Sequence, residues 1–209
     1  MNSICRVLLL STVAFLQACV SIPADTSVKQ VASQILYQQH LQNIASIEQF
    51  TLQGRIGVQA EGKGFSGGLT WLHTKNNDDI SLYSPLGGQV AGITKTVDSV
   101  TLVDAKGNNI SATDAETLTQ NTLGWKLPLS GLADWALGRP TNSTIQSNTW
   151  DKLGHLITLK QDHWDIEYQN YSNQNGYFLP QKIVLRNEKV YLKLLIENWD
   201  IIDPRSATK

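Results

Sequence analysis

Apolar residues recur at every second position through most of this chain, and that period limits what it can become more than any single motif does. Leu52, Gly54, Ile56 and Val58 alternate with Gln53, Arg55 and Gln59. Phe65, Gly67, Leu69, Trp71 and His73 repeat the pattern after a Gly-rich turn at Glu61–Gly64. Shorter stretches of the same character lie at Ile80–Ser84, Gln89–Lys95, Ser99–Val103 and Asn109–Ala112. Others follow at His155–Lys160, Trp164–Asn170, Lys182–Asn187 and Lys189–Trp199, with a hairpin turn about Asn187-Glu188. Short strands separated by Asn, Asp and Gly predict an antiparallel meander.

Three segments break this period. Val28, Val31, Ile35, Leu36, Leu41, Ile44 and Ile47 predict an amphipathic helix from Val28 to about Ile47. Thr113-Asp-Ala-Glu116 has the form of a capping box, opening a helix that Gly124 stops. Ser130 is placed to cap a further helix over Gly131–Leu137, ended by Gly138, and Thr141–Asn148 reads as a polar linker. The expected fold class is mainly β with helices (α+β), one antiparallel sheet with helices packed on it.

The first residues are a separate object. One positive side chain, Arg6, precedes the apolar run Val7–Leu16, as in a secretory signal. The run falls short of the roughly 20 apolar residues that a membrane-spanning helix needs. Leu16-Gln-Ala-Cys19 then resembles a bacterial lipobox, with Leu three residues before the cysteine and a small residue beside it. We expect cleavage before Cys19, lipid on its thiol, and a tether at 19–27 leading into one domain at 28–209. Losing residues 1–18 leaves 191 of the 209 residues and removes Cys5 and Arg6, moving the formal charge from −1 to −2. A single lipidated cysteine cannot form an internal disulfide. Val20, rather than Asp, follows Cys19. In Gram-negative lipoproteins that implies the outer membrane, on its periplasmic face.

Near-neutral charge predicts no nucleic-acid partner. Gly64-Phe-Ser66-Gly-Gly68 formally matches a nucleophile elbow, but Ser66 runs on into strand-like alternation where an elbow requires a helix. His40, His73, His155 and His163 form no recognisable catalytic pattern. Asp162-His163-Trp164-Asp165 reads as a solvated turn, and with Cys19 lipidated no thiolate remains to hold a metal. No catalytic residue, metal or cofactor is therefore expected.

Two apolar features remain. Trp71, Trp135, Trp164 and Trp199, among six tryptophans, fall in predicted strands or a helix, either as core or as walls of an apolar concavity. Ser84-Pro85-Leu86-Gly87-Gly88 is a tight loop with a lone Leu at its tip.

Together with the lipobox and the first helix, four stretches resemble the LolB family of outer-membrane lipoproteins: Phe50–Gly57, Pro85-Leu86-Gly87, Val103–Gly107 with Asp114-Ala-Glu116, and Leu127–Pro140. Leu192–Trp199 completes the likeness, which spans nearly the whole mature chain. The resemblance implies an incomplete antiparallel β-barrel, a half-barrel lidded by helices around an apolar cavity. It also implies a monomer that receives acylated lipoprotein cargo from a LolA-like periplasmic carrier and inserts it into the outer membrane. The alternative is a lipoprotein of related fold that handles other lipids or glycolipids. By the same resemblance, Pro85, Leu86 and Gly87 form the membrane-insertion loop, and Trp71, Trp135, Trp164 and Trp199 lie at the acyl-chain cavity. The segment Gly62–Gly68 departs from the family in its abundance of glycine.

Overall fold

Alternating burial organises the whole molecule. The structure, a computed structural model, describes residues 24–202, with side chains from residue 30 onward. The leader and Cys19 lie outside the described residues. In chain order the elements are α1 (Ala24–Ile44), β1 (Phe50–Ala60), β2 (Lys63–His73), β3 (Asp78–Tyr83), β4 (Gln89–Lys95), β5 (Val100–Asp104) and β6 (Asn109–Ala112). There follow α2 (Ala115–Leu123), α3 (Leu129–Ala136), β7 (Ile145–Trp150), β8 (Leu156–Gln161), β9 (Trp164–Gln174), β10 (Tyr177–Arg186) and β11 (Val190–Ile201).

The strands form one antiparallel 11-stranded sheet in the order β6-β5-β4-β3-β2-β1-β11-β10-β9-β8-β7. Two meanders are joined where the last strand returns beside the first, pairing Phe50 with Ile201 and Ala60 with Val190. With β6 and β7 at its two edges, the sheet stays open. The buried alternate positions, such as Leu52, Ile56 and Val58 of β1, join Ile44 of α1, Leu118 of α2 and Leu132 of α3 in one continuous core.

Glycine decides the packing inside the Gly-rich segment. A Cβ on Gly67 would collide with the carbonyl oxygen of Tyr83, so β3 lies closer to β2 than any side chain there would allow. The segment is a β1–β2 hairpin, turned at Glu61-Gly62, both with positive φ.

Four details differ from the expected pattern. Ile145–Trp150 is a strand, not linker, and forms the polar sheet edge beyond β8. Residues 177–181, not expected to be extended, begin β10, and Pro180 falls before its pairing with β11 starts at Lys182. Its missing N–H therefore costs that ladder nothing. The N-cap of α2 is Asp114 rather than Thr113, its carboxylate accepting from the N–H groups of Glu116 and Thr117. Finally, α3 starts at Leu129 after Pro128, so Ser130 is inside the helix and caps nothing.

Candidate functional site

Leu86 stands 98% exposed on a rigid support. In the β3–β4 turn, Gly87 N–H donates to the Ser84 carbonyl (2.9 Å), and Ser84 N–H donates to the Gly88 carbonyl (2.7 Å). Gly87 adopts φ 88°, the left-handed residue that closes a three-residue hairpin loop. Pro85 supplies the fixed φ that starts the turn. The β5–β6 turn has the same bonds, Gly107 N–H to Asp104 O (3.0 Å) and Asp104 N–H to Asn108 O (3.1 Å). It presents exposed Lys106 where its twin presents Leu86. The two turns share one end of the sheet, two strands apart, a separation of about 10 Å.

The four expected cavity tryptophans are all buried, with Trp71 0%, Trp135 1%, Trp164 5% and Trp199 5% exposed. Three have committed indole N–H groups. Trp71 donates to Asp78 Oδ1 (3.0 Å), Trp135 to Gln161 Oε1 (3.0 Å) and Trp199 to the Pro180 carbonyl (3.3 Å). Phe50 packs edge-on between Trp71 and Trp199, at 5.2 and 5.1 Å. In this structure all four are packed as core. Gln161 of β8, fully buried, fastens α3 and the segment after it: it accepts from Trp135 and from Thr141 N–H, and donates to the Thr141 and Ser143 carbonyls. Thr119 ties α2 to the segment leading into α3 by accepting from Leu127 N–H (3.0 Å).

A second region, unmarked by any sequence motif, lies where α1 crosses β8 and β9. The ladder between β8 and β9 covers only Thr158–Gln161 against Trp164–Glu167. Leu156 and Ile157 therefore part from Tyr168 and Gln169, leaving a cleft of about 290 Å³ lined by His155, Tyr168, Tyr171 and Phe178 among others. His155 stacks on Tyr171 (4.7 Å) and Phe178 (5.3 Å), and His40 of α1 meets it edge-on (4.9 Å). Three buried side-chain atoms in this cluster have no hydrogen-bond partner: His40 Nε2, Tyr168 Oη and Tyr171 Oη. Each such group costs about 1–3 kcal/mol. Burial, with His155 beside it, holds His40 down at about 4, so it is neutral at physiological pH. Burial raises both tyrosines above their ordinary value. His40 lies one turn from Tyr37 and Ile44 on the buried side of α1, and a histidine on an apolar stripe was the available sequence signal.

Other polar motifs have structural partners. Ser66 is exposed in mid-strand opposite Gly57, with no helix after it. His73 Nδ1 pairs with buried Asp78 at 2.6 Å, linking β2 to β3. Asp162 and His163, both at positive φ, make the two-residue β8–β9 turn, and Ser143 Oγ donates to Asp162 (2.7 Å). Among the described residues no group of three or more His, Cys, Asp or Glu could hold a metal.

The family model "Outer membrane lipoprotein LolB" matches residues 48–199, which include α2, α3 and all of the sheet but the last two residues of β11. The chain belongs to the LolB family. The outer-membrane lipoprotein LolB of Pseudomonas savastanoi pv. phaseolicola is 34% identical over 194 residues, covering 93% of this chain and 95% of its own. That of Pseudomonas fluorescens is 35% identical over 189 residues, covering 90% and 92%. Solved structures share the fold at low identity. A LolA superfamily protein from Nitrosomonas europaea has TM-score 0.51 at 12% identity, covering 83% of this chain and 97% of that one. A DUF1329 family protein from Desulfovibrio piger has TM-score 0.53 at 7% identity, covering 82% and 92%. The open antiparallel sheet with a few helices is thus the LolA-like architecture, and LolB membership identifies an outer-membrane lipoprotein of lipoprotein localisation.

Proposed function

We propose that this LolB family member takes acylated lipoproteins from a LolA-like periplasmic carrier, holds their acyl chains beneath its helical lid, and inserts them into the inner leaflet of the outer membrane. The observation that carries the proposal is Leu86, a large apolar side chain raised clear of the protein on a turn built to hold it there. Exposed leucines need no explanation singly. This one sits on a hydrogen-bonded tip at the same end of the sheet as Lys106, and an apolar residue that shares that end with a cation suits an anionic lipid surface. Lipid on Cys19 would hold the domain at that surface as a monomer.

The energetics set the rest. Three acyl chains carry roughly 40 CH₂ groups, and at about 0.8 kcal/mol each their exposure to water costs on the order of 30 kcal/mol. Cargo must therefore pass between shielded sites. Handover needs only a second site with higher affinity than the first, so it requires neither nucleotide, metal, cofactor nor catalytic residue. The lid of this reading is α2 and α3, with Trp135 on α3 itself; acyl chains take the place of its buried apolar side chains, such as Leu118 and Leu132, when the lid swings away.

The test uses the mature chain with Cys19→Ala and a carrier loaded with labelled lipoprotein. Cargo is expected to move to the Cys19→Ala chain without nucleotide, measured by pull-down. If the cargo stays on the carrier while the chain binds glycolipid, the alternative lipid-transport role is correct instead.

A further inference from the structure

We propose that the β7–β8 turn and the outward side of α1 form a second lipid contact, separate from the Leu86 loop, that seats the domain on the membrane beside its anchor. This rests on lipidation of Cys19 and on the membrane role proposed above.

Three turns of the sheet are built alike: Ser84–Gly88, Asp104–Asn108 and Asp151–His155. In the third, Asp151 N–H donates to the His155 carbonyl (2.9 Å), Gly154 N–H donates to the Asp151 carbonyl (3.1 Å), and Gly154 takes the left-handed φ of 86°. The residue before the glycine is Leu86 in the first turn, Lys106 in the second and Leu153 in the third. Leu153 is thus raised as Leu86 is, 65% exposed, and exposed Lys152 precedes it. The carboxylate of Asp151 is turned back onto the N–H groups of Leu153 (2.8 Å) and His155 (2.9 Å), so Lys152 is the charge that the tip presents.

This turn is fastened to α1. A Cβ on Gly154 would collide with the backbone of Leu36 and Tyr37, so the two segments touch where only glycine fits. Tyr37, His40 and Ile44 are the buried side of the helix. Val31 and Ile35, one turn apart and away from that side, are 57% and 53% exposed. Ile157 and Phe178, both exposed, continue the apolar surface beyond Leu153 along the cleft. Contiguous exposed apolar surface of this kind marks a contact with a membrane or a partner.

Tether length and charge select a lipid surface. Five residues separate Cys19 from Ala24, the start of α1, and they span at most about 18 Å. Val31 and Ile35 lie roughly 10–17 Å further along the helix axis. Lipid on Cys19 therefore keeps this side of α1 within reach of the headgroups. No Lys, Arg, Asp or Glu occurs from Gln30 to Ile47, so the helix gives up no ion hydration when it is laid on lipid. Lys152 matches anionic headgroups. In the antiparallel sheet β3 and β7 run in opposite directions, so Leu86 and Leu153 stand at opposite ends of their strands. The two contacts are used one after the other, Leu153 while the domain waits by its anchor and Leu86 when it tips over to deliver.

The experiment uses the mature chain with Cys19→Ala, so that only protein surface holds it to lipid. It is sedimented with vesicles of phosphatidylethanolamine and phosphatidylglycerol, or of phosphatidylcholine alone. Leu153→Glu is expected to weaken partition into the anionic vesicles about tenfold, and Val31→Gln with Ile35→Gln, on the other half of the contact, to weaken it several-fold. Lys152→Gln should cost about fivefold on the anionic vesicles and nothing on phosphatidylcholine. Melting temperature and capture of lipoprotein from a loaded carrier should stay at the parent's values in every variant. Absence of vesicle binding by the parent, full partition of either apolar variant, or a loss that merely follows a lowered melting temperature overturns the contact. Unchanged partition with slower capture also overturns it and assigns the surface to the carrier. If the parent captures no cargo while its vesicle binding depends on Leu153, the lipid contact stands and the lipoprotein-receiving role falls.

Discussion

Replacing Leu86 by Glu is expected to abolish delivery of lipoprotein into membranes while leaving cargo capture and folding unchanged. The side chain touches almost nothing, being 98% exposed, and the turn beneath it is held by backbone bonds that the substitution does not alter. Stability should stay within about 0.5 kcal/mol of the parent. Burying a Leu in hydrocarbon contributes about 1.5–3 kcal/mol, and a carboxylate there is actively repelled, so delivery should fall by more than tenfold. Transfer from loaded carrier to protein, and then from protein to liposomes, separates the two steps. Equal liposome delivery by the parent and Leu86→Glu would remove the insertion role from this loop.

The second large effect is on the fold. Trp135→Ala should destabilise the chain by about 3–5 kcal/mol, a large part of the roughly 5–15 kcal/mol available to a domain. Trp135 is 1% exposed, packs from α3 into the core, and donates to the buried amide of Gln161, which also fastens the 141–143 segment. Its loss leaves a cavity and removes the indole bond to Gln161. Thermal unfolding followed by circular dichroism should show a melting temperature lower by on the order of 10 °C. A change of less than about 2 °C would mean that α3 rests loosely on the sheet.

How much of this the sequence disclosed depended on whether a feature was local. Period-two stretches such as Leu52–Gln59 marked their strands because one face is buried and the other wet. Ile145–Trp150 was hidden because an edge strand with little burial on either face has no such alternation. The first half of β10 was masked by Pro180, which reads as a breaker unless one knows that it lies outside the β11 pairing. Leu86 was legible because turn chemistry is local: Pro, then Leu, then Gly-Gly. The tryptophans were legible as inward-facing but not as covered, since alternation says which face a residue is on and not what lies across from it. The cleft was invisible: His40 and His155 are brought together only by α1 crossing the sheet, and their ring contact joins segments far apart in the chain.

The central claim is that acyl chains of the cargo occupy the space now closed by α2 and α3. A lipoprotein with a photoreactive group at the end of one acyl chain, handed over by its carrier and then irradiated, tests this directly by mass-spectrometric mapping of the adducts. The account predicts adducts on inner-face residues, Trp71, Trp164 and Trp199 foremost, which have almost no surface in this structure. Adducts confined to outward-facing positions such as Leu72 and Arg55, with the inner face unlabelled, would contradict it.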